Sequence, residues 1–183
     1  MQEVVVVSTT QPSTSGAGRS LLGLRSRPER LALVVFRIPL VLYQHGAGWL
    51  LGRTFLRLVH VGRRTGRPHS MVAMVLAYDR DTGTAVICSA WGRRADWVLN
   101  LRARPASRVD IGRSTFVPRH RFLDEAEASA AIEGFLGRHP HRARFIAWVL
   151  GWGDLRSEHL RRQFVAGRPF VELAPEPETR EGR

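Results

Sequence analysis

In the run from His69 to Tyr78 both alternating sets of side chains are apolar: Met71, Ala73, Val75 and Ala77 form one set, and Val72, Met74, Leu76 and Tyr78 the other. A strand with one face in water carries a single apolar set, so this one must be covered on both faces. A barrel wall with a packed interior and helices outside meets that demand. The neighbouring sequence agrees. From Arg53 onward the apolar period drops from about 3.6 toward 2, and β-branched residues come in short runs bounded by Gly, Asp and Pro. Strands are predicted at Thr54 to Val61, His69 to Tyr78, Thr84 to Ser89, Ser107 to Ile111, Ser114 to Phe122 and Phe170 to Leu173. Tyr78 to Gly83 reads as a hairpin loop and Gly112-Arg113 as a tighter one.

Helices flank this β region. Pro28 and Glu29 can start one that runs to about Tyr43, with Leu31, Val34, Val35, Ile38 and Leu42 as its apolar stripe and Pro39 bending it. Gln44 to Gly52, with three glycines, reads as a loop. A helix over Ala95 to Arg104 stops at Pro105. A longer one starts at Asp124, with Glu127 at the capping-box position and Ile132 and Leu136 as an i, i+4 apolar pair. A third apolar segment, Arg144 to Trp152, is expected to pack on the barrel or over a pocket. Residues 1–27 and 174–183 are too polar to offset chain entropy and read as flexible tails, leaving 28–173 as a single domain with a leading amphipathic helix. A chain of 183 residues has room for one such core and little for a second.

Charge narrows the partners. All 28 basic residues are arginine, against 16 acidic ones, for a net charge of +12. Such a surface asks for an anionic partner, and the planar guanidinium suits bidentate capture of phosphate or carboxylate. The arginines are dispersed and no nucleic-acid-binding module is recognisable, so specific nucleic-acid binding is not expected. The single cysteine, Cys88, excludes an internal disulfide and a cysteine-based metal cage, and reads as a core thiol. No signal peptide is recognisable, and the Leu31 to Leu42 stretch is too short to span a bilayer, so a cytoplasmic protein is expected. That stretch either packs on the barrel or rests on the inner face of an anionic membrane with Arg25, Arg27, Arg30 and Arg37 near the headgroups.

Two stretches carry chemistry. Gly62-Arg63-Arg64-Thr65-Gly66-Arg67 ends one strand and leads into the next. Its backbone N–H groups can form an anion nest, with three guanidiniums and a hydroxyl added, although the same residues also make an ordinary basic hairpin. In the second, Cys88 to Leu101, a strand ends at Ser89-Ala90-Trp91-Gly92 and a helix follows. Ser89, the amides near Gly92 and the helix dipole can converge on an anionic or carbonyl-bearing ligand. Trp97 and Asn100 share one helix face, which suits a planar heteroaromatic ring; the alternative is that Trp97 is core and Asn100 caps a turn.

Together, in this order and spacing, the turn, Ser89 to Gly92, Asp96-Trp97 and Asn100 to Pro105 resemble the deazaflavin-dependent nitroreductase family over roughly Leu50 to Pro175. The resemblance implies an α+β fold built on a split β-barrel of the FMN-binding type, with six or so mostly antiparallel strands and flanking helices. It implies coenzyme F420, ahead of FMN, as cofactor. Gly62, Arg63, Arg64, Thr65, Gly66 and Arg67 would hold its phosphate and acidic tail, and Ser89, Ala90, Trp91, Trp97 and Asn100 would line the ring site. The implied activity is hydride transfer from reduced F420 to a quinone, enone or nitro compound. His69, Val72-Ala73 and Ala90-Trp91 depart from the family pattern, so nitro reduction does not follow from the family name.

A cofactor that carries the hydride needs no acid–base pair from the protein. Tyr43, His60 and Tyr78 are the candidate proton donors, each also readable as structural. No metal site is expected, because His139 and His141 lack a third ligand. The competing function is a non-catalytic carrier of a lipid or tetrapyrrole on the same scaffold. Either a monomer or a homodimer is compatible with the sequence.

Overall fold

A computed structural model of the chain describes Pro39, residues 41–43 and residues 45–177. Pro39 and residues 41–43 are helical; the rest of the helix expected over Pro28 to Tyr43, with most of its apolar stripe, lies outside the described residues, as do the tail at 1–27 and residues 178–183. A 3-10 helix, Gly48–Leu51, occupies part of the expected Gln44 to Gly52 loop. Then come β1 (Phe55–Val61), β2 (Pro68–Tyr78), β3 (Ala85–Cys88), α1 (Asp96–Ala103), β4 (Arg108–Ile111), β5 (Ser114–Phe116) and β6 (Pro118–Phe122). The chain continues through α2 (Glu125–Arg138), α3 (Pro140–Leu150) and α4 (Glu158–Gly167) to β7 (Phe170–Pro175).

The seven strands form one sheet in the order β5-β4-β1-β2-β3-β7-β6, and every neighbouring pair is antiparallel. Its two edge strands, β5 and β6, are consecutive in the chain and separated only by Val117. Two peptide steps span at most about 7 Å, so the sheet must curl until its edges meet. The edges do not pair with each other, which leaves the barrel split at this seam. The fold is the expected α+β split barrel, with seven strands in place of six or so.

β2 is covered on both faces, as its sequence requires. Ala73 and Val75 join Leu56, Leu58, Ile87, Val109, Ile111, Val171 and Leu173 in the barrel interior, which α1 completes with Trp97, Val98 and Leu101. Met74 and Leu76 point the other way, into a second core with Ile132 and Phe135 of α2, Ile146 of α3 and Phe164 and Val165 of α4. The capping box of α2 is complete: Asp124 Oδ1 accepts from the Glu127 N–H at 2.8 Å and Glu127 Oε2 accepts from the Asp124 N–H at 3.0 Å.

Four sequence expectations are corrected. The strand expected over Ser114 to Phe122 is two strands, because the chain passes from one sheet edge to the other at exposed Val117. The third helix starts at Pro140, well before Arg144, with the proline in its first turn where a missing N–H costs nothing. α4 was not expected; two buried side chains, Phe164 and Val165, anchor it amid arginine, glutamate and glutamine. β7 runs on through Ala174 and Pro175, residues that composition assigned to the tail, by pairing with Arg119 and Pro118 of β6.

Candidate functional site

The turn between β1 and β2 is tied down from inside and from α1. Gly62 N–H donates to the Arg67 carbonyl and Gly66 N–H to the Gly62 carbonyl, each at 2.8 Å, and Arg67 N–H reaches Thr65 Oγ1 at 3.3 Å. A Cβ at Gly62 would lie 2.7 Å from Thr65 Oγ1 and 2.9 Å from His69 Nε2 and would force those side chains to move, while Gly66 sits at φ +68°. Asn100 of α1 supplies the external tie: its Oδ1 accepts from the Arg63 backbone N–H and from Arg63 Nη1, both at 3.0 Å. Arg63 Nη1 also meets Asp96 Oδ1 at 2.9 Å.

Beneath this lies His60, buried, with Nδ1 3.1 Å from Asn100 Nδ2. The amide N–H₂ can only donate, so Nδ1 accepts and the ring is neutral with its proton on Nε2. Burial, the stacked His69 ring at 5.8 Å and its charge push the pKa of His60 down from 6.5 to about 4, against the pull of Asp96.

The nest foreseen from sequence is therefore mostly engaged within the protein. Among the described residues, the backbone N–H groups of Arg64 and Thr65 donate to no protein acceptor. Arg64, Arg67 and Arg104 are exposed and form no ion pair with described residues, and Arg104 reaches within 3.9 Å of a side-chain position at Gly66. The turn thus presents two open amides and unneutralised guanidiniums, a donor set that matches a phosphodiester and carboxylates.

One helical turn before Asn100 on α1, Trp97 helps to line a narrow, largely apolar cleft of about 30 Å³, with Met71, Val72, Ala73 and Met74 of β2, Cys88, Ala90, Trp91, Leu150 and Trp152. Trp97, on the helix that holds the turn, is also part of the barrel core. Trp91 is half exposed. Ser89 is fully buried, and its hydroxyl donates to the Gly92 carbonyl at 2.8 Å, so it braces the loop that carries Ala90 and Trp91. Burial pushes the Cys88 thiol up to about 12, against the nearby Arg168 charge.

The structure brings together the turn, Arg63, Asn100, Trp97, Ala90 and Trp91. It leaves Tyr43 and Tyr78 elsewhere. Tyr43 donates its hydroxyl hydrogen to the Phe55 carbonyl at 2.8 Å, and burial and the Asp110 charge raise its pKa to about 12 despite Arg57. Tyr78 lies at the far end of β2 with the Arg53 guanidinium 4.8 Å from its ring centroid. Asp96 entered the sequence reading only as part of the Asp96-Trp97 motif, with no role of its own, and Met71, Leu150 and Trp152 were not named as site residues. The acidic first turn of α1 beside an arginine-rich bend could have given Asp96 its role; the apolar run Arg144 to Trp152 pointed to Leu150 and Trp152 only as a segment, and nothing local flags Met71. Among the described residues no cluster of three or more His, Cys, Asp or Glu could hold a metal ion, and no helix is long and apolar enough to cross a membrane.

The sequence profile of the F420H(2)-dependent quinone reductase family matches residues 36–131, a little over half of the chain, and takes in the turn, the Ser89 loop and α1. The chain belongs to this family. As a member of the F420H(2)-dependent quinone reductase family it is an oxidoreductase. No curated protein sequence matches the chain. Among solved structures it is similar to an F420-H2 dependent reductase, FDR-A, at 16% identity over 67% of this chain and 96% of that one, with a TM-score of 0.45. It is also similar to HutZ, the heme storage protein from Vibrio cholerae, at 16% identity over 74% and 90% of the two chains, TM-score 0.42. A pyridoxamine 5'-phosphate oxidase-related FMN-binding protein from Nostoc punctiforme matches at 14% identity over 86% and 83%, TM-score 0.37. Likenesses this remote say nothing about the chemistry of this chain.

Proposed function

We propose that the chain is a reductase that uses reduced F420 to reduce quinones, with enones and nitro compounds as further acceptors, and that the turn and the Trp97 cleft are its coenzyme site. One observation supports this most: the Arg63–Asn100 tie couples an anion-seeking turn to the helix whose Trp97 walls an apolar cleft. When bound, reduced F420 supplies a hydride. The chain supplies the rest. Arg64, Arg67 and Arg104, with the Arg64 and Thr65 amides, would neutralise the coenzyme phosphate and glutamates, while Trp97, Ala90 and Met71 would exclude water from the reacting face. The cleft lining carries no group that titrates near neutrality, since the Cys88 thiol stays protonated and His60 faces Asn100. The proton that completes reduction at the acceptor oxygen would therefore come from solvent.

The test mixes the purified protein with oxidised F420 and follows coenzyme fluorescence, then assays reduction of a soluble quinone. Saturable binding and F420H2-dependent quinol formation are expected. Flavin mononucleotide binding without F420 binding, or purification with a stoichiometric lipid or tetrapyrrole and no F420 binding, would overturn the assignment.

A further inference from the structure

On the outer face of β1, β4 and β5 lies an open cavity of about 450 Å³, large enough for a small organic ligand. It is separate from the turn. Arg57, in its wall, precedes Val61 by four strand residues, or roughly 13 Å along β1.

Its wall holds three guanidiniums, those of Arg57, Arg108 and Arg113, against one carboxylate, Asp110. Asp110 is only 7% exposed and fully engaged: Oδ2 accepts from Arg57 Nε, and Oδ1 accepts from Arg108 Nε and Thr115 Oγ1, all at 2.7 Å. Burial alone would raise its pKa, yet these three donors hold it below the usual carboxylate range, so it stays charged. Gripping both arginines by Nε fixes their planes. Among the described residues no hydrogen bond engages the Nη groups of Arg57, Arg108 or Arg113. A pre-set pair of forks loses little side-chain entropy when an anion arrives.

The remaining wall sets two aromatic rings, Tyr43 and Trp49, beside three glycines and the hydroxyl side chains of Ser114 and Thr115. Tyr43 has committed its hydroxyl to Phe55 and offers its ring, and half-exposed Trp49 lies with Arg113 5.6 Å from its ring centroid. We propose that this cavity is a second ligand site, for a small organic anion in which a phosphate or carboxylate is joined to a flat unsaturated ring. The anionic oxygens meet the free Nη groups of Arg57 and Arg108, and the ring lies alongside Trp49.

The experiment titrates the full chain with 1-naphthyl phosphate, 1-naphthoate and neutral 1-naphthylmethanol, following the indole N–H resonance of Trp49, which is assigned by its loss in Trp49→Phe. Calorimetry runs in parallel. One-to-one binding of at least one of the two anions is expected, with a shift of the Trp49 resonance; which of them binds more tightly distinguishes a phosphate ligand from a carboxylate one. Arg113→Gln, an exposed position that holds no salt bridge with the described residues, and Arg108→Gln should each weaken that binding about tenfold. Arg67→Gln at the turn should leave it unchanged. The proposal is overturned if neither anion binds saturably, if the neutral alcohol binds as well as the anions, if the Trp49 resonance stays still, or if Arg67→Gln abolishes binding while Arg108→Gln and Arg113→Gln do not.

Discussion

Asn100 Oδ1 holds Arg63 twice, through its backbone N–H and through Nη1, at 3.0 Å each. One amide oxygen thereby fixes both where the turn sits and where its first guanidinium points, while the same amide's N–H₂ fixes the tautomer of His60. Removing it strands a buried ring nitrogen and a part-buried N–H. Asn100→Ala should cost about 1–3 kcal/mol in denaturant unfolding and weaken F420 binding as the turn loosens. A variant that loses stability but binds F420 as tightly as wild type would separate the turn from the coenzyme.

His60 makes folding sensitive to mild acid. In the folded protein its pKa is about 4, against 6.5 for an unperturbed imidazole. Above 6.5 the ring is neutral in both states and nothing is lost. As pH falls from 6.5 toward 4 the unfolded chain takes up a proton that the folded one refuses, so stability falls with pH, at most by about 1.4 kcal/mol per unit. Urea melts at pH 7, 6 and 5 should show this decline. His60→Gln, which keeps an acceptor for Asn100 but does not titrate, should flatten it; an unchanged slope would assign the effect to another group.

The sequence was most readable where a physical demand was local. Two apolar sets in β2 required cover on both faces, and Asp124 with Glu127 required a helix start. Legibility failed where a position depends on a distant partner. Nothing near Val117 says that β5 and β6 belong to opposite edges of a curled sheet, and nothing near Phe164 says that two apolar residues suffice to seat α4 on Phe170 and the outer core. At the candidate site the arginine turn was visible, but most of its amides are engaged within the turn or by Asn100, 37 residues from Arg63. The Asp110 cavity went unnoticed, although parity offered a signal: Arg57 stands out of an alternating apolar strand, and Arg108 and Asp110 share the same outward set on β4.

The exposed arginines should contribute by charge and the tied one by shape. Arg64→Gln and Arg67→Gln leave every hydrogen bond within the turn in place, so neither should shift the unfolding midpoint appreciably. Each should nonetheless weaken F420 binding about tenfold and flatten its dependence on salt, because fewer charges remain to be screened. In steady state the change should appear in the KM for the coenzyme and spare kcat at saturation, since in the proposed site these side chains would face the anionic tail rather than the reacting ring. Loss of kcat with an unchanged KM would place them in the chemical step.

The cleft beside Trp97 is too narrow as it stands. About 30 Å³ holds roughly two water molecules, far less than a three-ring system, so a ring can enter only if a wall gives way. Trp97 is buried in the barrel core and Met71 to Met74 are held by pairing with β1, whereas Trp91 is half exposed on the loop between β3 and α1. Coenzyme binding should therefore shift the Trp91 signal in a fluorotryptophan-labelled protein more than that of Trp97. Trp91→Ala should speed coenzyme association and lower the KM for bulkier quinones, at the cost of admitting water to the reacting face. A Trp91 signal that stays still while F420 binds would mean that the ring lies outside this cleft.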